Sequence, residues 1–327
     1  MKTIKHSLPV ISIIFASIAY ACQVPVFRYA LERWPADRYE LVVLHDGPIS
    51  EADAKTVDRL RDADHQSPAA ANYSVKVMSK DNIKDELLKS AWDRHGKAGA
   101  PVIVSLYPPT AQEVPDRLIK SQPLDSVSVD VIVDSPIRAE IARRLVAGES
   151  AVWIFVPCGD PKQDKVALET LTRVVDENEK TLELPEQEDV EDEKELLEQV
   201  NIDLRLDFSI VTLDRQDPKE QFLLQMLLAS EPDLEELSQP MAFPVLGRGR
   251  VLYALVGKGI SELTIGLASR FIIGPCSCQV KDQNPGFDLL MANDWDKKIG
   301  KAKLSDPLPE VTDEPVLLTI PPGRKGR

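Results

Sequence analysis

Two of the four cysteines in this chain stand one residue apart, in Cys276-Ser277-Cys278. In extended backbone, residues i and i+2 point to the same side, with Cα atoms roughly 6.5–7 Å apart, the upper limit for a disulfide. Three chemistries are open to such a pair. One or both thiols bridge to Cys22 or Cys158 and staple the C-terminal segment. Alternatively the two sulfurs chelate a soft metal, copper or zinc. In the third case they form a strained, reactive disulfide. A metal site needs further ligands, and no histidine follows His95. Cys22, Cys158 or His45 would have to approach in space.

Cys158 stands alone in Pro157-Cys158-Gly159-Asp160-Pro161-Lys162, after the apolar run Ala151–Val156. A helix start just beyond it would lower its pKa. A dithiol oxidoreductase also needs a resolving thiol, and none stands three residues on. Cys158 is therefore expected to be inert or structural, and it is the candidate nucleophile if the chain has one. His45 ends a strand beside Asp46 and is expected to be a satisfied loop histidine; His65 and His95 are placed in polar loops. No G-x-S-x-G motif is present, which leaves a serine hydrolase unsupported. Gly247-Arg248-Gly249 lacks the third glycine of a nucleotide-binding fingerprint.

Composition narrows the classes. Of 327 residues, 43% are apolar and 28% charged, a globular balance rather than a disordered one. The net charge of −14 argues against a nucleic-acid binder, which carries a basic stripe. Lys2 and Lys5, the apolar run 8–18 and Ala19-Tyr20-Ala21 have the layout of a secretory signal peptide over residues 1–21. Two readings compete at its end. Ordinary cleavage leaves a soluble exported chain in the periplasm or cell envelope. Lipidation of Cys22 would tether it to a membrane. In either case no transmembrane span is expected in the mature chain, and export permits disulfides.

The elements that must position these residues read as two similar halves. The first has a strand over 39–45, a helix capped by Ser50, a strand over 73–78 and a helix over 84–94. A strand introduced by Pro101 follows, then a strand over 127–133 and a helix from Pro136. The second has a strand over 151–156, an amphipathic helix over 165–178, a strand over 206–213 and a helix over 218–228. Next come a hairpin, 242–246 and 250–256, and a helix capped by Ser261. Each half is β-α-β-α-β-β-α, and two consecutive strands imply a mixed sheet covered by helices. The excess length of the second half lies around 184–200, where Glu186–Glu198 holds eight acidic residues and one lysine. That segment is expected to be a solvated insertion.

The second half resembles the thioredoxin-like superfamily. Phe243-Pro244-Val245, the glycine turn, Arg250–Gly257 and the helix from Ser261 are similar to the C-terminal half of a thioredoxin. Pro157–Lys162 stands where that family carries Trp-Cys-Gly-Pro-Cys-Lys. The resemblance implies a cis proline beside the thiol site, with Pro244 as the candidate and Pro101 as its counterpart in the first half. It implies an α/β fold of two tandem thioredoxin-like domains lacking the active-site pair. The expected limits are 22–149 and 150–303, the second including the acidic insertion and the C-x-C segment. A proline-rich extended tail is expected over 304–327. The expected function is a non-catalytic binding or scaffold protein of the cell envelope, with a protein partner, no nucleic acid and no cofactor. The alternative is thiol–disulfide redox or copper/zinc handling by Cys158, Cys276 and Cys278.

Overall fold

The computed structural model describes residues 24–65, 71–96, 100–185, 202–203, 205–276 and 280–299. The segments 1–23, 186–201, 277–279 and 300–327 lie outside these residues, so the expected signal peptide, Cys22, Cys278, most of the expected acidic insertion and the expected tail do too.

Alternation sets the first sheet. In β1 (Tyr39–His45), Leu41 and Val43 enter the central core, while Val42 and Leu44 face the other way onto Leu88 and Ala91. Those two residues belong to α3 (Glu86–His95). A strand buried on both faces reads as a continuous apolar run, as this one does. β1 pairs in parallel with β2 (Tyr73–Ser79) and antiparallel with β3 (Val102–Leu106), with Val42 opposite Val104. β4 (Leu118–Pro123) closes the order β2-β1-β3-β4. α2 (Glu51–His65) connects β1 to β2. Its cap is the expected one: the Asp53 amide donates to Ser50 Oγ at 3.1 Å.

Here the structure corrects one element. The fourth strand is Leu118–Pro123, not 127–133; the latter region holds α4 (Val129–Val133). Val-Asp-Val-Ile-Val is a β-favouring run, but Val129 and Ile132 lie three apart and bury together on one helical face. In β4 the alternation of burial is the signal: Ile119 and Ser121 are buried, Lys120 and Gln122 half-buried. His65 and His95 likewise end α2 and α3 rather than standing in loops.

The second sheet repeats the order. β5 (Ala151–Val156) pairs in parallel with β6 (Phe208–Thr212) and antiparallel with β7 (Met241–Leu246). β8 (Arg250–Val251) and β9 (Leu255–Val256) pair with β7, and β10 (Phe287–Asp288) extends the edge beyond β8. The chain is thus a mixed α/β protein with two mixed sheets flanked by helices.

Val152, Ile154 and Val156 face the same central core as Leu41 and Val43. Between the sheets lie α4, α5 (Pro136–Val146) and α7 (Gln221–Leu228). The other face of β5, with Trp153 and Phe155, packs against α6 (Pro161–Thr181) and α8 (Glu262–Ile273). Complete burial of each such side chain stabilises by about 1.5–3 kcal/mol.

Segments near both limits of the described residues interlock the halves. α1 (Val26–Arg33) precedes β1 yet packs on the second sheet, where the Val26 amide donates to the Gly274 carbonyl at 2.9 Å. Asn72, before β2, donates to the Leu289 carbonyl at 3.0 Å and accepts from the Met291 amide at 2.7 Å. Arg138 on α5 is fully buried, and burial depresses its pKa to about 10. It donates to the carbonyls of Ile132 and Leu290, at 3.0 and 2.8 Å. α9 (Trp295–Ile299) ends the described chain. Among the described residues no helix is long and apolar enough to cross a membrane.

Candidate functional site

β5 carries the chain to Pro157 and Cys158 at one end of the second sheet, where Val156 pairs with Met241. Gly159 then turns the chain with φ +92°, a left-handed conformation that costs a side-chain-bearing residue roughly 1–2 kcal/mol. Asp160 caps α6: its Oδ1 accepts the amides of Lys162 at 2.9 Å and Gln163 at 3.3 Å. Pro161 takes the first helical position, where no amide is needed. One turn on, Asp164 reaches back. Its two carboxylate oxygens accept the amides of Cys158 at 2.7 Å and Gly159 at 2.9 Å.

This arrangement reverses the electrostatics expected of a thiol near a helix start. The site brings two carboxylates with it. Burial pushes the Cys158 thiol up most; the Asp160 amide, the next influence in size, lowers it, and the Asp164 and Asp160 carboxylates each raise it again. At neutral pH the thiol stays protonated, and the thiol is a far poorer nucleophile than the thiolate. Asp160 is held below the usual carboxylate range by Gln163 and the helix amides, so its charge persists.

Facing α6 across a cavity of about 400 Å³ are Pro240, Gly257, Lys258 and Ile260, with Lys162, Val166 and Thr170 on the helix side. Val166 is 64% exposed, an apolar side chain left at the mouth of an apolar-lined cleft. Pro240 immediately precedes β7 and accepts the Gly257 amide at 2.8 Å.

Among the described residues no peptide bond is cis, so the bonds before Pro101 and Pro244 are trans. Pro244 also stands elsewhere than expected. It lies within β7 opposite Trp153, four residues into the apolar run and away from Cys158. Proline inside a sheet needs a place where its missing donor is not called upon. The neighbouring strand is broken at that level: pairing to β7 stops at Val251 and resumes at Leu255. The expected single strand 250–256 is therefore two short strands. The proline beside the thiol end of the sheet is Pro240, which the sequence reading missed. The signal was available, since Pro101-Val102 and Pro240-Met241 each place proline just ahead of the third strand of their half.

In the first half the corresponding turn is Asp46-Gly47-Pro48. The His45 ring Nδ1 contacts the Gly47 carbonyl at 2.7 Å within that turn, on the surface.

No known protein-family model matches the chain, and no curated protein matches it.

The remaining cysteine chemistry sits elsewhere. Cys276 follows α8, is 1% exposed, and its amide donates to the Val24 carbonyl at 2.9 Å. α8 starts near the Cys158 end, since Lys258 and Ile260 share the cavity with Lys162. Its 12 residues carry the chain about 18 Å away at the helical rise of 1.5 Å per residue. Cys158 and Cys276 therefore stand at opposite ends of this sheet, well beyond disulfide reach. Among the described residues no group of three or more His, Cys, Asp and Glu side chains is placed to hold a metal. The described chain resumes at Val280 and enters a 3₁₀ turn, Lys281–Gln283. There Lys281 Nζ lies 2.8 Å from Asp37 and 2.5 Å from Asp288.

Proposed function

We propose that this is an exported, non-catalytic binding or scaffold protein of the cell envelope, built from two tandem thioredoxin-like units. Two sheet orders support the fold reading: β2-β1-β3-β4 and β6-β5-β7-β8 are the same arrangement, each with an antiparallel third strand beside the first. The single observation that carries the functional reading is the Asp164 carboxylate on the amides of Cys158 and Gly159. That carboxylate fixes the turn and sets a negative charge beside a thiol that burial already holds up, so the helix start is not turned to thiolate chemistry.

With its thiol held protonated, the site retains a cleft. Apolar walls from Val166, Ala167 and Ile260 and two rim lysines, Lys162 and Lys258, suit an apolar side chain of a partner polypeptide with acidic neighbours. The test is the pH titration of the Cys158 thiolate by ultraviolet absorbance in the folded chain, with assay of disulfide reduction. A titration above the ordinary cysteine value, with no turnover, is expected. A thiolate formed near neutrality, together with turnover lost in Cys158→Ser, would establish the redox alternative.

A further inference from the structure

The edge strand of the first sheet, β4, meets α7 of the second half. α7 reads Gln-Phe-Leu-Leu-Gln-Met-Leu-Leu, and Gln225 is the one polar residue within it after the first position. Opposite, β4 turns Ile119 and Ser121 to the same side, so a hydroxyl occupies a place where alternation calls for an apolar group. Ser121 Oγ and Gln225 Oε1 are both buried, and neither has a hydrogen-bond partner. Ser121 is 9% exposed. Buried polar groups are almost always paired, so two orphans on facing surfaces of one interface require an explanation.

Both residues border one cavity of about 320 Å³, the size of a small-molecule pocket, at a junction between units where such pockets concentrate. Arg94, Lys120 and Glu235 complete its polar lining. Two cations and one carboxylate leave a net charge of +1. The hydroxyl and the cations recognise carboxylates; the amide oxygen and Glu235 recognise an ammonium.

From this juxtaposition we propose that the β4–α7 cavity is a binding site for a free amino acid with an acidic side chain. It would hold both carboxylates through Arg94, Lys120 and Ser121 and the ammonium through Gln225 and Glu235. This site is separate from the Cys158 cleft and does not depend on what that cleft does.

Calorimetric titration of the full chain with L-glutamate tests it, beside glutarate, which lacks the ammonium, and L-alanine, which lacks the second carboxylate. Saturable binding of L-glutamate, at least about tenfold tighter than either analogue, is expected. Ser121→Ala and Gln225→Leu should each weaken it by about tenfold. Neither should lower the melting temperature, because each removes a buried atom that has no partner in the free protein. The proposal is overturned by the absence of saturable binding, by equal binding of glutarate, or by L-glutamate binding that both substitutions leave unchanged. In the first case water alone satisfies the two atoms; in the second the site is a simple anion site.

Discussion

The Asp164 carboxylate holds the backbone amide of Cys158 at 2.7 Å and, through its second oxygen, that of Gly159 at 2.9 Å. One side chain thereby ties the turn before α6 to the helix itself. It also sets a negative charge beside the sulfur.

Removing that charge should release the thiol. In Asp164→Asn the Cys158 pKa is expected to fall, since the substitution deletes a repulsive charge and leaves the helix start in place. The pH profile of alkylation by iodoacetamide should shift toward lower pH. Stability should fall by about 1–3 kcal/mol in chemical denaturation, because one charge-assisted bond becomes a neutral one and the other is lost, an amide nitrogen being unable to accept. A profile unchanged or shifted upward would show that Asp164 does not hold the thiol protonated.

Asp37 is the residue most exposed to a test by pH. Burial raises its pKa, the neighbouring Asp288 raises it further, and Lys281 opposes both. A carboxyl whose native pKa lies above its unfolded value binds protons more tightly in the folded state. Its contribution is fully present below the ordinary carboxylate range and is lost as pH rises through the raised native value. Asp37→Asn should therefore gain on the wild type in melting temperature between acid and neutral pH. If the wild type instead gains on the variant over that interval, the ion pair with Lys281 outweighs burial.

Arg138 should tolerate no replacement. Its guanidinium is fully buried, serves the carbonyls of Ile132, Val131 and Leu290, and lies 5.7 Å from the Phe222 ring centroid. Arg138→Ala is expected to cost about 3–5 kcal/mol, through a cavity and three carbonyls deprived of their donor. Arg138→Lys should recover little, since an ammonium cannot span the same fork. Urea denaturation reads both, and full recovery by lysine would show that charge alone matters there.

Two glycines with left-handed backbone should separate conformational cost from steric cost. At Gly159, φ +92°, an added Cβ meets nothing within 4 Å, so Gly159→Ala should cost only about 1–2 kcal/mol. At Gly286, φ +99°, the same atom would stand 2.0 Å from the Val251 carbonyl oxygen. Because backbone must move there, Gly286→Ala should cost clearly more, about 3 kcal/mol or above. Equal losses in the two variants would mean that the β8–β10 edge yields freely.

Much of the architecture was legible in the chain. The apolar runs at Tyr39–His45 and Ala151–Val156, the prolines ahead of the third strands and the Ser50 and Ser261 caps depend on neighbours close in sequence. So does the order β-α-β-α-β-β-α. Residues 127–133 misled because β-branched runs favour strands locally, while burial three residues apart along one face selected a helix. Pro244 misled because nothing local says where along an apolar run the sheet begins.

Local chemistry also determined that Cys158 has no C-x-x-C partner and that a turn and helix follow it. Only the tertiary structure decided the rest. Asp164 folds back onto the thiol turn, α1 crosses to the second sheet, and Cys158 and Cys276 lie at opposite ends of one sheet. Ser121 and Gln225, more than a hundred positions apart in sequence, meet unpaired in one cavity. Propensity, capping and alternation act over a few residues and can be read from the chain. The charge beside a thiol, the distance between two sulfurs and the satisfaction of a buried hydroxyl depend on groups that only folding brings together.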